Sequence, residues 1–171
     1  NNNNIEPVGA SAIADAFEQH PKMTHAQLSF NAIGDIAIRL ANLPNITTLL
    51  LNGCGLDETQ TLRIFQALYS NNLVDLRLDG NRVSLIGMQT LAGALMNGSP
   101  LTILYLRHAG LVDLLVQPLV PVLKNNKLLS YLYLDGNTIG ETVMAEIGYS
   151  LQEGAPLQEL TLVNNPSGLS H

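Results

Sequence analysis

The chain has few cysteines, few basic residues and no long apolar run, and each shortage excludes a class of protein. Its 171 residues include one cysteine, which excludes an internal disulfide framework and fits a reducing compartment. No apolar run reaches the roughly 18 residues of a membrane-spanning helix. The first ten residues lack the basic and apolar regions of a signal peptide. The net charge of −6 argues against nucleic acid as the main partner.

The chain does contain a repeated nine-residue segment with the pattern L-x-x-L-x-L-x-x-(N/C/A). Its copies are MTHAQLSFN (23–31), ITTLLLNGC (46–54), LVDLRLDGN (73–81), LTILYLRHA (101–109), LSYLYLDGN (129–137) and LQELTLVNN (157–165). Their last residues are 23, 27, 28, 28 and 28 positions apart, and Asn3 lies 28 residues before Asn31. A period of this length with this core predicts a leucine-rich-repeat solenoid.

The pattern has a physical reason. Apolar residues at the fourth and sixth positions alternate as in a strand, so both point to one face, which stacked repeats would bury behind a parallel sheet. Asn at the ninth position can bond to backbone groups that the turn leaves unpaired. Ala109 cannot, so we expect a weak point there, whereas Cys54 fits as a small buried thiol. The predicted strands lie near 26–29, 49–51, 76–78, 104–106, 132–134 and 160–162.

The other half of each repeat predicts a helix, because residues such as Val83, Gly87, Leu91 and Leu95 recur every four positions. With the strand pattern, this resembles the ribonuclease-inhibitor-like leucine-rich repeats of NOD-like receptors, Ran GTPase-activating proteins and bacterial effectors. The resemblance implies an α/β horseshoe with about six parallel strands on the concave face and helices on the convex face. We interpret 1–171 as a single leucine-rich-repeat domain and as a fragment of a longer array or multidomain protein.

Two repeats depart from the regular pattern. The helical segment at 34–42 is about one turn shorter than its neighbours. In the repeat after Ala109, Pro118 and Pro121 remove backbone donors. We therefore expect only a short helix there, starting near Pro118.

No catalytic or metal-binding constellation is evident among the residues that could carry one. His20 and His171 are isolated, and His25 and His108 would lie three strands or about 14 Å apart, too far to share a zinc ion. Asp75, Asp79 and Asp135 could form a cation site, but a solvated strand face is the simpler interpretation. We therefore predict no enzyme activity and no cofactor.

The exposed face of the sheet is where we expect a binding site. Positions three, five and seven of each segment alternate with the core residues and should face solvent as columns across the strands. The third-position column is His25, Thr48, Asp75, Ile103, Tyr131 and Glu159. The fifth-position column is Gln27, Leu50, Arg77, Tyr105, Tyr133 and Thr161. The seventh-position column is Ser29, Asn52, Asp79, Arg107, Asp135 and Val163.

Two interpretations of these columns stay open. In the simpler one, tyrosine is merely a good strand residue, and Asp79, Arg107 and Asp135 form an ordinary surface charge ladder. In the other, a protein or peptide docks over exposed tyrosine rings with two arginines at the edge, because tyrosine and arginine are enriched in interface hot spots. The candidate partner-binding residues are Arg77, Ile103, Tyr105, Arg107, Tyr131, Tyr133 and Asp135.

These observations favour a non-enzymatic protein–protein recognition module, located in the cytoplasm or, if it is a bacterial effector, secreted into a host cell. One alternative is a regulatory or targeting domain of a larger enzyme. Another is a GTPase-activating protein of the Ran type, for which Arg82 is the only loop arginine we can identify. A purely structural repeat within a scaffold is a third alternative. The sequence leaves the partner and the oligomeric state open.

Overall fold

The computed structural model describes residues 4–166, and within them six short strands form one sheet in chain order. The strands are β1 (His25–Gln27), β2 (Thr48–Leu50), β3 (Asp75–Arg77), β4 (Ile103–Tyr105), β5 (Tyr131–Tyr133) and β6 (Glu159–Thr161). Every neighbouring pair is parallel. The prediction of six parallel strands is confirmed, although each strand begins one residue earlier than the pattern predicted.

The register also agrees with the alignment of the repeats. Arg77 on β3 lies beside Tyr105 on β4, which lies beside Tyr133 on β5. Leu76 and Leu78 point to the opposite side and are fully buried. The sheet face that carries the three columns is therefore the one that faces away from the core.

Helices and turns connect the strands, and their apolar side chains form one core with the inward strand residues. The α-helices of the described part are α1 (Pro7–Gln19), α2 (Ile36–Ala41), α3 (Glu58–Ala67), α4 (Leu85–Met96), α5 (Asp113–Val116), α6 (Val120–Asn125) and α7 (Glu141–Gln152). The predicted α4 stripe is confirmed by the burial of Val83, Gly87, Leu91 and Leu95.

Side chains at the helix starts explain why α3 and α4 begin where they do. Asp57 Oδ1 accepts the Gln60 N–H at 2.8 Å, and Gln60 Oε1 accepts the Asp57 N–H at 3.1 Å. This reciprocal pair satisfies backbone groups that a helix start leaves unpaired. Ser84 Oγ accepts the Gly87 N–H at 3.0 Å in the same way.

The two irregular repeats behave differently from each other. The helix α2 has six residues against twelve in α4, so the predicted shortening is confirmed. The short helix expected near Pro118 is present as α6, which begins at Val120, but the four-residue helix α5 that precedes it from Asp113 was not predicted. Pro118 lies in a 3-10 turn (Gln117–Leu119), and Pro121 lies in the first turn of α6. Proline is tolerated in a first turn because its missing N–H would have no helical partner there, so each proline opens a new helical segment.

The asparagines at the ninth position form a ladder through the turns. The Asn137 amide nitrogen donates to Leu106 O at 2.9 Å and Leu134 O at 2.8 Å. Its Oδ1 accepts the N–H groups of Ala109 and Leu111, both at 3.0 Å. Each such side chain thus links one repeat to the previous one.

Cys54 takes the same place in the ladder. It is buried, its Sγ lies 3.3 Å from Leu28 O as a weak donor, and burial raises the pKa of its thiol. These features support the prediction of a structural thiol, since a reactive cysteine is accessible and has a lowered pKa. Asn3 and His171 lie outside the described residues.

The horseshoe curvature is a finer claim than the sheet topology and stays a prediction. The same holds for the interpretation of 1–171 as a single domain from a longer array. Within residues 4–166, no helix has the length and apolar character needed to cross a membrane.

Candidate functional site

Three planar side chains of the fifth-position column are stacked across β3, β4 and β5. The rings of Tyr105 and Tyr133 lie with their centroids 4.0 Å apart and their planes at 27°. The Arg77 guanidinium carbon lies 4.5 Å from the Tyr105 centroid. Stacking and cation–π attraction both favour this arrangement, which follows directly from the parallel in-register pairing of the strands. We call the seven candidate residues, from Arg77 to Asp135, the tyrosine–arginine patch.

A second strand residue holds the Arg77 guanidinium in place. Arg77 Nε donates to Asp75 Oδ1 at 3.0 Å, and Nη2 donates to Asp75 Oδ2 at 2.8 Å. This bond to Asp75 raises the pKa of Arg77. Asp75 was predicted to face solvent, but it is only 8% exposed, because the arginine that it binds lies against it. Arg77 therefore lies at the β3 end of the stack, at the edge of the rings as predicted, and Asp75 holds it in a fixed position.

Arg107 holds the other side of the stack. Its guanidinium carbon lies 4.8 Å from the Tyr105 centroid and 4.7 Å from the Tyr133 centroid. Arg107 Nε lies 2.9 Å from Asp135 Oδ2, at an angle that makes the contact an ion pair and not a directed hydrogen bond. The guanidinium is about equally far from the two stacked rings, so it lies beside the stack, in agreement with the predicted place of Arg107 at the edge.

Tyr133 is the largest departure from the expected exposure. The sequence predicted an exposed ring, but Tyr133 is only 8% exposed because its neighbours in the stack and Arg107 cover it. Burial is the main cause that raises the pKa of its hydroxyl, and the nearby Tyr105 and Glu159 add to the effect. Tyr133 therefore supports the patch from the side, by stacking on Tyr105, and offers little surface to a partner.

Tyr131 and Ile103 form the third-position part of the patch. Both are partly exposed and pair across β4 and β5 at the third position. The Tyr131 hydroxyl lies 2.9 Å from Gln158 Oε1, to which it can donate. This bond fixes the direction of the ring without burying it.

The short polar side chains of the seventh-position column form a second ladder. Ser29 Oγ accepts the Asn52 N–H at 3.1 Å, and Asn52 Oδ1 accepts the Asp79 N–H at 2.9 Å. Asp79 Oδ1 accepts the Arg107 N–H at 2.8 Å, and Asp135 Oδ1 accepts the Val163 N–H at 2.8 Å. Each oxygen bonds to the residue at the same position of the next repeat. Arg107 interrupts this ladder, because arginine has no acceptor.

This second ladder corrects both sequence interpretations of the aspartates. Asp79 and Asp135 are half-buried and bond to backbone, and Thr161 Oγ1 also donates to Asp135 Oδ2 at 2.6 Å. Burial raises the pKa of Asp79, opposed by its bond to the Arg107 N–H. They are therefore neither a solvated strand face nor an open cation site. Over residues 4–166, no three histidine, cysteine or acidic side chains are grouped so that they could hold a metal ion.

The eighth position of every segment has a left-handed backbone conformation. Glycine or asparagine occupies it in four repeats, at Gly53, Gly80, Gly136 and Asn164, and these residue types adopt that conformation most easily. Phe30 (φ 62°) and His108 (φ 50°) occupy it in the other two. Such residues cost roughly 1–3 kcal/mol of strain.

Both non-glycine rings lie over the glycine of the next repeat. A Cβ on Gly53 would lie 2.6 Å from Phe30 Cδ1, and a Cβ on Gly136 would collide with the His108 ring. Both rings are also largely exposed. The sequence was used only to exclude His108 from a zinc site, although its place in a column of glycines was a signal that could have identified it.

Comparison with known proteins supports the repeat assignment. The chain is 36% identical to mouse NACHT, LRR and PYD domains-containing protein 5 over 119 residues, which is 68% of the chain and 10% of that protein. It is 30% identical to mouse NACHT, LRR and PYD domains-containing protein 3 over 138 residues, or 76% of the chain and 13% of that protein. The rat counterpart is 31% identical over 137 residues. No protein-family model matches the sequence.

These similarities support a leucine-rich-repeat-related family and no narrower assignment, since the chain spans about a tenth of the length of these relatives. A solved structure of leiomodin-1 actin-binding site 2 superimposes with a TM-score of 0.65 at 20% identity. The match covers 74% of this chain and 76% of that one. At this identity the likeness concerns the fold alone.

Proposed function

We propose that the chain is a non-enzymatic module that recognises a protein or peptide partner on the outer face of its sheet. The observation that carries the proposal is the tyrosine–arginine patch. In it Arg77, Tyr105 and Tyr133 are stacked, Arg107 lies beside both rings, and two ion pairs fix the arginines. The relatives with leucine-rich repeats in their names support a protein-binding role. We extend the proposal to a horseshoe of the ribonuclease-inhibitor-like class, with the patch on its concave face.

The mechanism is rigid presentation of a surface that is already ordered. Binding is opposed by the loss of side-chain freedom, about 0.5–1.5 kcal/mol for each long side chain that becomes immobile. Arg77 and Arg107 are held by Asp75 and Asp135 before any partner arrives. The ordering cost for these side chains is therefore already met within the fold.

The partly exposed residues Ile103, Tyr105 and Tyr131 supply the contact area. Tyrosine can bury a large surface with few rotatable bonds, and its hydroxyl can specify a hydrogen bond. Tyr133 acts through Tyr105, since its ring stacks against the Tyr105 ring on the neighbouring strand.

A second candidate is a regulatory or targeting segment of a larger protein with its own activity. The chain covers only 10–13% of the length of its relatives. This small share supports the second candidate. A Ran-type activating role for Arg82 stays a hypothesis, as do cytoplasmic location and secretion as a bacterial effector. The relatives that we compared are rodent proteins and add no support for a bacterial origin.

Affinity capture with matched tyrosine variants tests the proposal. The change Tyr131→Ala removes a partly exposed ring from the patch, and Tyr149→Ala removes a 68% exposed ring from α7 on the helical side. Captured proteins from cell lysate are quantified by mass spectrometry and then tested individually as purified proteins. We expect at least one direct partner whose binding falls 30-fold or so with Tyr131→Ala, as for a hot spot worth about 2 kcal/mol.

The same partner should bind the Tyr149→Ala protein as tightly as the wild type. Urea unfolding of both variants provides the stability control. If every directly binding protein loses affinity with Tyr149→Ala and keeps it with Tyr131→Ala, the sheet face is not the recognition surface.

A further inference from the structure

The turn after β4 lacks three fold-stabilising residues that its neighbours have. The turns after β3 and β5 both read Asp-Gly-Asn, at 79–81 and 135–137, whereas the turn after β4 reads Arg107-His108-Ala109. The aspartate accepts a backbone N–H of the next repeat, the glycine suits the left-handed conformation, and the asparagine bonds to its own repeat and to the previous one. The β4 turn lacks all three of these stabilising residues, at three consecutive positions.

The fold does not require these departures. The turns on either side have the same backbone conformation and the same strand register with Asp-Gly-Asn. Arg107 ends the seventh-position ladder, and His108 strains the backbone in a place where glycine would not. Strained or destabilising residues in a structure that could avoid them are characteristic of functional sites.

The turn offers hydrogen-bond donors that the fold leaves unused. Arg107 pairs with Asp135 through Nε, and within the described residues its two Nη groups make no hydrogen bond. His108 is exposed, and among residues 4–166 no side chain bonds to its ring nitrogens. Arginine has five N–H donors and no acceptor, so an occupant of this turn must supply acceptor oxygens.

The charges around the turn indicate that these acceptors are uncharged. The Arg107 cation is already paired with Asp135, and Asp79 lies at the same position of the preceding repeat, where its Oδ1 accepts the Arg107 N–H. An incoming carboxylate would therefore meet two aspartates around one neutralised arginine. Backbone carbonyls satisfy the same donors without that repulsion.

We propose that the Arg107-His108 turn determines the specificity of the tyrosine–arginine patch by binding an uncharged, extended segment of the partner through its backbone carbonyls. The inference rests on the proposed function, because it places this segment beside Tyr105 and Tyr131. The Arg107-His108 turn would then be the part of the surface where less stabilising residues serve recognition. The groups that it recognises would be the backbone carbonyls of the partner.

The test uses peptide probes and variants that restore the neighbouring turns. Random twelve-residue peptides displayed on phage are selected on the intact wild-type protein, and the recovered peptides are measured by fluorescence anisotropy. The double change Arg107→Asn and His108→Gly restores the residue types found at 52 and 53. Phe30→Gly is the matched control, since it relieves the same backbone conformation three strands away.

We expect the double variant to unfold at the same or a higher urea concentration and to bind the recovered peptides at least tenfold more weakly. Phe30→Gly should leave peptide affinity within twofold of the wild type. If the double variant binds the peptides within twofold of the wild-type affinity, the proposal is wrong. It is also wrong if the double variant loses both stability and affinity, because that result would mean that the turn has a structural role. If the recovered peptides require Asp or Glu for binding, the claim that the turn binds an uncharged segment is wrong.

The Tyr131→Ala variant distinguishes failure of the proposal about the turn from failure of the proposed function. Peptides that lose affinity with the double variant but not with Tyr131→Ala would support the turn and contradict the contact role proposed for Tyr131. Peptides that lose affinity with Tyr131→Ala alone would support the patch and contradict the turn. Failure to recover any peptide would contradict both.

Discussion

The asparagine ladder predicts that Ala109→Asn should stabilise the protein. Asn137, one repeat later, makes two donor and two acceptor bonds between 2.8 and 3.0 Å. By the same geometry, an amide at 109 would donate to Leu78 O and Leu106 O and accept the Val83 N–H. The structure already accommodates asparagine in the equivalent place of the repeats on both sides.

The expected gain can be estimated from the bonds involved. A hydrogen bond within a protein adds a net 0.5–1.5 kcal/mol or so, and two or three bonds are gained. The larger side chain must fit a site where Ala109 is 5% exposed, and its ordering opposes the gain. We expect a net increase of about 1 kcal/mol in the free energy of unfolding.

The reverse change at the neighbouring repeat should be more costly. Asn137→Ala leaves the buried N–H groups of Ala109 and Leu111 without their acceptor. Each unsatisfied buried group costs roughly 1–3 kcal/mol, so we expect a loss of about 3 kcal/mol. Urea unfolding followed by circular dichroism suits a chain without tryptophan. If Ala109→Asn destabilises the protein, or Asn137→Ala costs below about 1 kcal/mol, the ladder does not contribute as described.

Three further substitutions test the core, the stack and the turn by the same urea measurement. Leu78→Ala removes a fully buried strand side chain and should cost roughly 2–5 kcal/mol; a loss below about 1 kcal/mol would contradict the inward register. Tyr133→Ala should cost about 2–4 kcal/mol, whereas the exposed Tyr149→Ala should cost almost nothing; equal losses would mean that the stack is not structural. Gly136→Ala should cost roughly 1–3 kcal/mol, because of its φ of 67° and the His108 ring above it, and the double variant with His108→Gly should recover part of that loss.

The repeat period predicted much of the fold, because it fixes which residues lie side by side. Aligning the six segments placed Arg77, Tyr105 and Tyr133 in one column, and the structure pairs them in that order. Strand alternation also placed Leu76 and Leu78 in the core. Both results depend only on local periodicity and on parallel stacking.

Burial on the outer face could not be predicted in the same way. Alternation gives the side of the sheet to which a residue points, but Asp75 and Tyr133 are covered by the side chains of neighbouring strands. Ser29 is buried as well, and its hydroxyl bonds to the next repeat. Exposure on a flat face depends on how large neighbours stack, and no single-segment pattern contains that information.

The most direct test of the central claim is site-specific photo-cross-linking from the sheet face. One protein carries p-benzoylphenylalanine in place of Tyr131, and a matched protein carries it in place of Tyr149 on α7. Both are irradiated with a purified partner from the capture experiment at a concentration near its Kd. Our account predicts an efficient cross-link from position 131 and little or none from position 149. Efficient cross-linking from position 149 with none from position 131 would contradict it.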